Sequence, residues 1–162
     1  MTVHLHDFNL ADVLYVCGNL PDDERELFEA INGEQFNADD VAAAAFQCPG
    51  MHWVIRSSGG IALVAGGFVR QRPGVFRTWF FATEFAWTSH GGELTLLVRD
   101  VIQRLLDERL AHRVETVTLA NRHRARKWYE QIGLKQESTL RGYAATGEDA
   151  VLYVATRQVE NI

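Results

Sequence analysis

The chain has 162 residues, 47% of them hydrophobic, which fits one globular domain, 1–162, with one core. Its net charge of −5 argues against indiscriminate nucleic-acid binding, and no apolar run reaches the roughly 18 residues that a membrane span needs. The first residues show no secretory-signal pattern, and Cys17 and Cys48 lack metal-ligand spacing, which predicts free thiols in a cytoplasmic protein.

The first third of the chain predicts one strand and three helices. Residues 3–8 alternate apolar and polar side chains, as a half-buried strand does. Asn9 can cap a short helix that reaches Cys17, and Pro21 opens a second helix whose first turn is acidic. Asn37 can cap a third helix, which Pro49 and the following glycine end.

The middle of the chain predicts three strands, over 52–57, 61–70 and 75–85, because β-branched and aromatic residues dominate there and turn residues separate them. The Gly66-Gly67 pair within the second strand predicts a bulge or a close backbone neighbour. After the loop Ser-His-Gly-Gly at 89–92, apolar residues recur at helical spacing, which predicts a long amphipathic helix.

The last third predicts a buried strand over 114–119, a helix that starts at Asn121 and ends at Gly133, and two final strands over 134–143 and 150–157. The order of elements therefore indicates a mixed α+β fold, with a central, mostly antiparallel sheet that contains hairpins and one parallel crossover.

That crossover is the best candidate for a ligand site. Strands 75–85 and 114–119, joined by a helix, should be parallel neighbours that part at their ends, and ligands bind beyond the C-terminal ends of such strands. The loop that enters the long helix offers free N–H groups and the positive end of the helix dipole, and Gly91 and Gly92 would let phosphates approach the backbone. Many strand-to-helix turns contain two glycines, so this signal is weak by itself.

A more specific signal lies in the run Ala-Arg-Lys-Trp-Tyr-Glu-Gln-Ile-Gly-Leu at 125–134. It resembles the segment Ala-x-x-x-Tyr-x-x-x-Gly-Phe of the GNAT (Gcn5-related N-acetyltransferase) superfamily, with Tyr129 and Gly133 in register, and the element order resembles that superfamily too. Asn121 resembles the Asn that opens this helix, displaced one residue upstream.

Residues 75–157 also resemble the small GNAT-like proteins of short-tailed bacteriophages, some of which are internal virion proteins. The shared features are Trp79-Phe80, Thr83 followed by Glu84, Trp87, a glycine-containing loop and a long charged helix. The N-terminal third agrees with them only in element order. This resemblance implies that the protein is encoded by a phage and is located in the host cytoplasm or in the virion.

The GNAT resemblance implies acetyl-CoA as the ligand and an amine as the acetyl acceptor. It implies Tyr129 as the acid that protonates the departing thiolate, and Glu84 as the best candidate base. The implied cofactor contacts are the strand backbone for the pantetheine arm and the loop for the pyrophosphate: Ala82, Thr83, Phe85, Ala86, Ser89, His90, Gly91, Gly92 and Asn121.

The chain departs from the superfamily's phosphate motif, Gln/Arg-x-x-Gly-x-Gly/Ala. If Gly92 is aligned with the first glycine of the motif, Ser89 replaces the basic or amide residue and Leu94 stands where a small residue is needed. If Gly91 is aligned there, Thr88 and Glu93 take these two positions. A carboxylate close to the phosphates can cost about 1–4 kcal/mol. We therefore expect either weak binding of acetyl-CoA or none.

The sequence supports two hypotheses about the function almost equally. The first is an N-acetyltransferase acting on a small-molecule or protein amine, and the second is a non-catalytic phage protein that binds a host protein or serves in the virion. Nucleic-acid binding through the basic residues of 122–127 is a distant third. No metal is expected, because His4 and His6 share a strand face without a third ligand.

Overall fold

The computed structural model describes residues 2–157 and contains seven strands and five helices within them. In chain order they are β1 (Val3–Asp7), α1 (Leu10–Gly18), α2 (Asp22–Asn32), α3 (Ala38–Gln47), β2 (Met51–Ser57), β3 (Ala62–Arg72), β4 (Val75–Ala82), α4 (Glu84–Asp107), β5 (Arg113–Leu119), α5 (His123–Gln131), β6 (Lys135–Leu140) and β7 (Ala150–Thr156). The predicted mixed α+β fold is confirmed.

The strands form one sheet in the order β1-β2-β3-β4-β5-β7-β6. Every neighbouring pair is antiparallel except β4 and β5, which run parallel. Helices α4 and α5 cover one face of the sheet and build the larger apolar core, while α1 and α3 build a second core on the other face. None of the helices within residues 2–157 has an apolar stretch long enough to cross a membrane.

The N-terminal helices begin where the sequence predicts because asparagine side chains cap them. The Asn9 side-chain oxygen accepts a hydrogen bond from the Asp12 N–H at 3.0 Å. The Asn37 oxygen accepts bonds from the N–H groups of Asp39 and Asp40 at 3.0 and 3.1 Å. Each cap satisfies donors that the helix leaves unpaired, so the start of each helix is encoded locally.

The Gly66-Gly67 pair marks a close neighbour, as predicted. A Cβ atom on Gly66 would lie 2.5 Å from the Trp53 indole, and one on Gly67 would lie 2.6 Å from the carbonyl oxygen of Met51. The register irregularities of β3 lie elsewhere, at its pairings near Arg56 and Arg70. The glycines therefore make room for an indole on the adjacent strand and do not form a bulge.

The prediction of a loop at 89–92 is wrong, because the 24-residue helix α4 begins directly after β4 and includes these residues. Thr83 starts the helix: its side-chain oxygen accepts the Ala86 N–H at 3.1 Å. Ala86 and Leu94 are both buried on the core side of the helix. Their packing offsets the cost of two helical glycines, about 1 kcal/mol each relative to alanine.

The helical conformation of 89–92 predicts that Gly92→Ala stabilises the protein by about 0.5–1 kcal/mol. A Cβ at Gly92 meets no atom within 4 Å and needs no left-handed backbone. Chemical denaturation followed by circular dichroism measures the change. Gly66→Ala is the matched control and should destabilise by about 1–3 kcal/mol, since its Cβ collides with Trp53. Destabilisation by Gly92→Ala would indicate a loop at this position.

Candidate functional site

The parallel strands β4 and β5 are paired along only part of their length. Three residue pairs join them, from Val75 with Arg113 to Arg77 with Glu115, and the strands diverge beyond these pairs. The buried Glu115 carboxylate holds the paired end together, because it accepts hydrogen bonds from Arg77 and Arg113, both at 2.9 Å. The predicted parting of two neighbouring parallel strands is confirmed.

The separated part of β4 presents backbone hydrogen-bonding groups to the opening. The carbonyl oxygen of Thr78 accepts the Thr116 hydroxyl at 3.1 Å, so this peptide group faces β5. The peptide groups of alternate residues face the same side of a strand, which directs those of Phe80 and Ala82 toward the opening as well. Neither has a paired residue on β5. An extended ligand with amide groups could bind to this edge.

A cleft of about 280 Å³ lies at the opening, on the side of α4 and α5. We call it the helix-side cleft. Aromatic residues form much of its wall: the Trp128 ring lies 5.4 Å from that of Phe80 and 5.0 Å from that of Trp87, edge to face in both cases. The Trp128 indole donates a hydrogen bond to the Thr95 hydroxyl at 3.0 Å, which fixes its orientation.

A second cavity, of about 440 Å³, lies between α2 and strands β3 to β5, and we call it the α2-side cavity. Three residues line both this cavity and the helix-side cleft: Glu24, Phe80 and Tyr129. The two spaces therefore approach each other at the opening between β4 and β5. Ligands bound in each would place their inner ends near Tyr129.

Tyr129 is held in position by the end of α5. The N–H of Leu134 donates to the Tyr129 carbonyl oxygen at 2.9 Å, a contact made as the chain turns through Gly133 at φ +95°. The Tyr129 side chain packs against Tyr153, with 5.6 Å between ring centroids. Burial and the nearby Glu24 carboxylate together raise the pKa of Tyr129 to about 12, against the opposing effects of Arg122 and of the Thr116 and Thr118 hydroxyls. Its hydroxyl therefore keeps its proton at neutral pH.

Glu24 is a site residue that the sequence analysis did not identify. It lies in the first turn of α2, and its carboxylate accepts a hydrogen bond of 2.6 Å from the Arg122 guanidinium just before α5. Both side chains are largely buried. Helical periodicity could have found Glu24, because it continues the stripe formed by Leu27, Phe28 and Ile31, which line the same cavity.

The residues predicted to bind the pantetheine arm lie in different elements, and only some of them line the cleft. Ala82 ends β4 and lines the helix-side cleft together with Glu84. Thr83 caps α4, while Phe85 and Ala86 lie within the helix. Phe85 is exposed and Ala86 is buried in the core. The prediction that Phe85 and Ala86 pair as strand residues is wrong, because the strand ends three residues earlier than expected.

The predicted pyrophosphate loop is also corrected, since Ser89, His90, Gly91 and Gly92 are helical and none of them lines the cleft. The N–H groups that α4 leaves uncapped in its first turn lie further upstream, at 84 and 85. Glu93 accepts a hydrogen bond from the Thr2 N–H at 2.5 Å, and Leu94 faces the core. Neither therefore crowds the cleft, contrary to expectation.

The remaining polar candidates are Asn121 and the basic run 122–127, of which Arg122 and Arg124 line the helix-side cleft. Asn121 is exposed, and its amide donates to Glu148 at 3.3 Å. Two residues of this run are engaged internally: Arg122 pairs with Glu24, and Arg126 donates to the Ala120 carbonyl oxygen at 2.8 Å. Among residues 2–157, no three His, Cys, Asp or Glu side chains are grouped so as to hold a metal ion.

Neither a protein-family model nor a curated protein sequence matches the chain. Solved structures do match it along nearly its whole length. An acetyltransferase of the GNAT family from Bacillus anthracis superposes with a TM-score of 0.76 at 12% identity, covering 97% of this chain and 96% of that one. The fold is that of the GNAT acetyltransferases.

Two further GNAT-fold structures agree. An aminoglycoside acetyltransferase in complex with coenzyme A matches with a TM-score of 0.71 at 20% identity, covering 96% of this chain and 95% of that one. The ribosomal-protein-S5-alanine acetyltransferase from Vibrio fischeri matches with a TM-score of 0.70 at 10% identity, covering 98% and 94%. At sequence identities of 10–20%, the similarity establishes the fold of this chain but does not establish a reaction.

The buried position of Tyr129 predicts that it stays protonated where an ordinary phenol, with a pKa near 10, ionises. With ¹³C-labelled tyrosine, the Cζ resonance that disappears in Tyr129→Phe should keep its neutral chemical shift up to about pH 11, because burial opposes the phenolate. Titration of that resonance near pH 10 would mean that the hydroxyl is well solvated and that the site is more open than described.

Proposed function

We propose that the protein is an acetyl-CoA-dependent N-acetyltransferase that transfers an acetyl group to an amine. The observation that carries this proposal is the position of a buried, protonated Tyr129 at the opening where two cavities meet. Acetyltransferases of spermidine, of aminoglycosides and of a ribosomal-protein alanine share the fold, which supports an amine acceptor. The donor would occupy the helix-side cleft and the acceptor the α2-side cavity.

The residues at the opening fit only part of acetyl-CoA. The free backbone groups of Phe80 and Ala82 suit the amide-containing pantetheine arm. No glycine-rich loop lines the helix-side cleft within residues 2–157 to bind the pyrophosphate. The first turn of α4 offers two uncapped N–H groups beside the Glu84 carboxylate. Asp23 also lines the cleft, against Arg122 and Arg124. We therefore expect acetyl-CoA to bind about tenfold or more weakly than to a complete phosphate loop.

The bound donor supplies a reactive thioester, and two side chains manage the protons. The acceptor is an ammonium ion in solution, so one proton must leave before its nitrogen attacks. Glu24 lines the α2-side cavity and can receive that proton, directly or through a water. As the new C–N bond forms and the C–S bond breaks, the Tyr129 hydroxyl would give its proton to the sulfur. The nitrogen loses its second proton at this stage, and that proton would return to the Tyr129 oxygen, directly or through a water.

The assignment of the base to Glu24 replaces the sequence-based choice of Glu84. Glu84 lines the helix-side cleft but not the α2-side cavity, so it lies on the donor's side of the opening. It is also exposed, whereas Glu24 is largely buried beside Tyr129. A base has to reach the acceptor nitrogen, and of these two carboxylates only Glu24 borders both spaces.

This proposal predicts that Tyr129→Phe lowers kcat by about 100-fold, because the leaving thiolate loses its proton donor. Its dissociation constant for acetyl-CoA should stay within about twofold, since the ring still fills its place. Glu24→Gln should lower kcat by a similar factor, while the matched control Glu84→Gln should change it little. Thiol release with a panel of amines measures kcat, and calorimetry measures the affinity.

Unchanged kcat in Tyr129→Phe, or a loss in Glu84→Gln larger than in Glu24→Gln, would contradict these roles. Glu24→Gln also breaks an ion pair with Arg122, so its unfolding free energy and its acetyl-CoA affinity must be measured alongside. A loss of kcat at unchanged affinity and unchanged fold isolates the proton-transfer role.

A second candidate is a non-catalytic GNAT-fold protein of phage origin that binds a host protein or forms part of a virion. The observation that favours it is the replacement of the expected phosphate loop by helix α4. The resemblance of residues 75–157 to GNAT-like phage proteins supports the same candidate. Absence of acetyl-CoA binding at millimolar concentration, together with specific capture of one host protein, would favour this candidate over the enzyme.

A further inference from the structure

A third cavity, of about 390 Å³, lies between α3 and β4, and we call it the outer cavity. It shares three aromatic residues with the α2-side cavity: Phe28, Trp79 and Phe81. The two spaces therefore border the same aromatic wall on one face of the sheet. We call the two spaces together the groove; its lining extends from Tyr129, through the shared Phe28, to the N-terminal end of α3.

Acidic side chains outnumber basic ones along this groove. At its inner end, Glu24 pairs with Arg122, and Arg77 pairs with Glu115. At its outer end, Glu34 and Asp40 line the cavity, and neither has an ion-pair partner within residues 2–157. The wider segment 22–40 carries eight acidic residues against one arginine.

The single basic residue of that segment does not neutralise the outer end. Arg25 lies over the Phe36 ring, 5.9 Å from its centroid, and it is not among the residues that line either cavity. The groove thus combines aromatic walls with exposed carboxylates at one end. Aromatic faces attract cations and also contact methylene chains, and carboxylates attract ammonium groups.

We propose that the groove binds a linear amine that carries a second positive charge at its far end. The reacting nitrogen would lie beside Tyr129 and Glu24, the methylene chain along Phe28, Trp79 and Phe81, and the remote ammonium group near Glu34 and Asp40. This inference rests on the proposed function for the role of the bound amine as acetyl acceptor. The binding itself can be tested without any acyl donor.

The test is calorimetry of the whole protein with 1,8-diaminooctane and with octylamine, which has the same chain and one charge fewer. We expect the diamine to bind about tenfold more tightly, since two carboxylates and the aromatic wall each contribute a few-fold. Shorter and longer diaminoalkanes should bind more weakly than the one that spans the groove. Raised salt should weaken the diamine more than the monoamine.

The double variant Glu34→Gln and Asp40→Asn should remove most of the preference for the diamine. Glu108→Gln is the matched control, because Glu108 is exposed at the C-terminal end of α4 and lines neither cavity. Circular dichroism establishes that the variants fold, since Asp40 lies in the first turn of α3. Retained affinity in the double variant would overturn the proposal.

Equal affinities for the diamine and the monoamine would also overturn the proposal. Binding of an oligolysine peptide without binding of any diamine would overturn it too, because that result would indicate a protein partner. The outcomes separate this inference from the proposed function. Diamine binding without acetyl transfer would contradict the enzyme but support the cation site. Acetylation of monoamines and diamines with equal kcat/KM would support the enzyme and contradict the cation site.

Discussion

The candidate site exists because β4 and β5 stop pairing after three residue pairs. The buried Glu115 carboxylate, bound by arginines from both strands, keeps the paired end closed while the other end opens. Burial opposes the charged form of Glu115, but the hydrogen bonds from Arg113 and Arg77 prevail and lower its pKa. The strands therefore stay joined at neutral pH without a continuous ladder between them, and unpaired backbone is left where a ligand can bind.

The second determinant of the site is the contact between the starts of α2 and α5. The ion pair of Glu24 with Arg122 joins these helices beside the opening and brings a carboxylate close to Tyr129. One interaction thus joins the starts of two helices that border the opening and holds a carboxylate near Tyr129. On the side of the helix-side cleft, α4 begins immediately after β4, which leaves few N–H groups of its first turn free to bind an anion.

Most of the fold could be predicted from the sequence, because it depends on local signals. Asn9 and Asn37 cap the helices that the pattern predicts, and periodicity places the strands to within two residues, apart from the ends of β4 and β6, which come three residues earlier than predicted. The start of α4 was missed because Gly91-Gly92 was interpreted as a turn. The helical spacing of Ala86 and Leu94 spans these glycines and was the better indicator.

The site was only partly predictable, since it depends on contacts between distant segments. The GNAT resemblance points to Tyr129 through its spacing from Gly133, and α5 places this residue in the lining of both cavities. Glu24 was missed because acidic residues in a first helical turn are already explained by the helix dipole. The approach of Glu34 and Asp40 to Trp79 depends on how α3 packs over the sheet, and no local pattern encodes that packing.

The most direct test of the central claim is an amide NMR titration of the ¹⁵N-labelled protein with coenzyme A. We expect the largest shift changes at Phe80 and Ala82 on β4 and at Val117 and Thr118 on β5, with little change at 75–77 or at 89–92. Shift changes centred on 89–92, or none at the separated ends of the two strands, would contradict the claim that this opening is the ligand site.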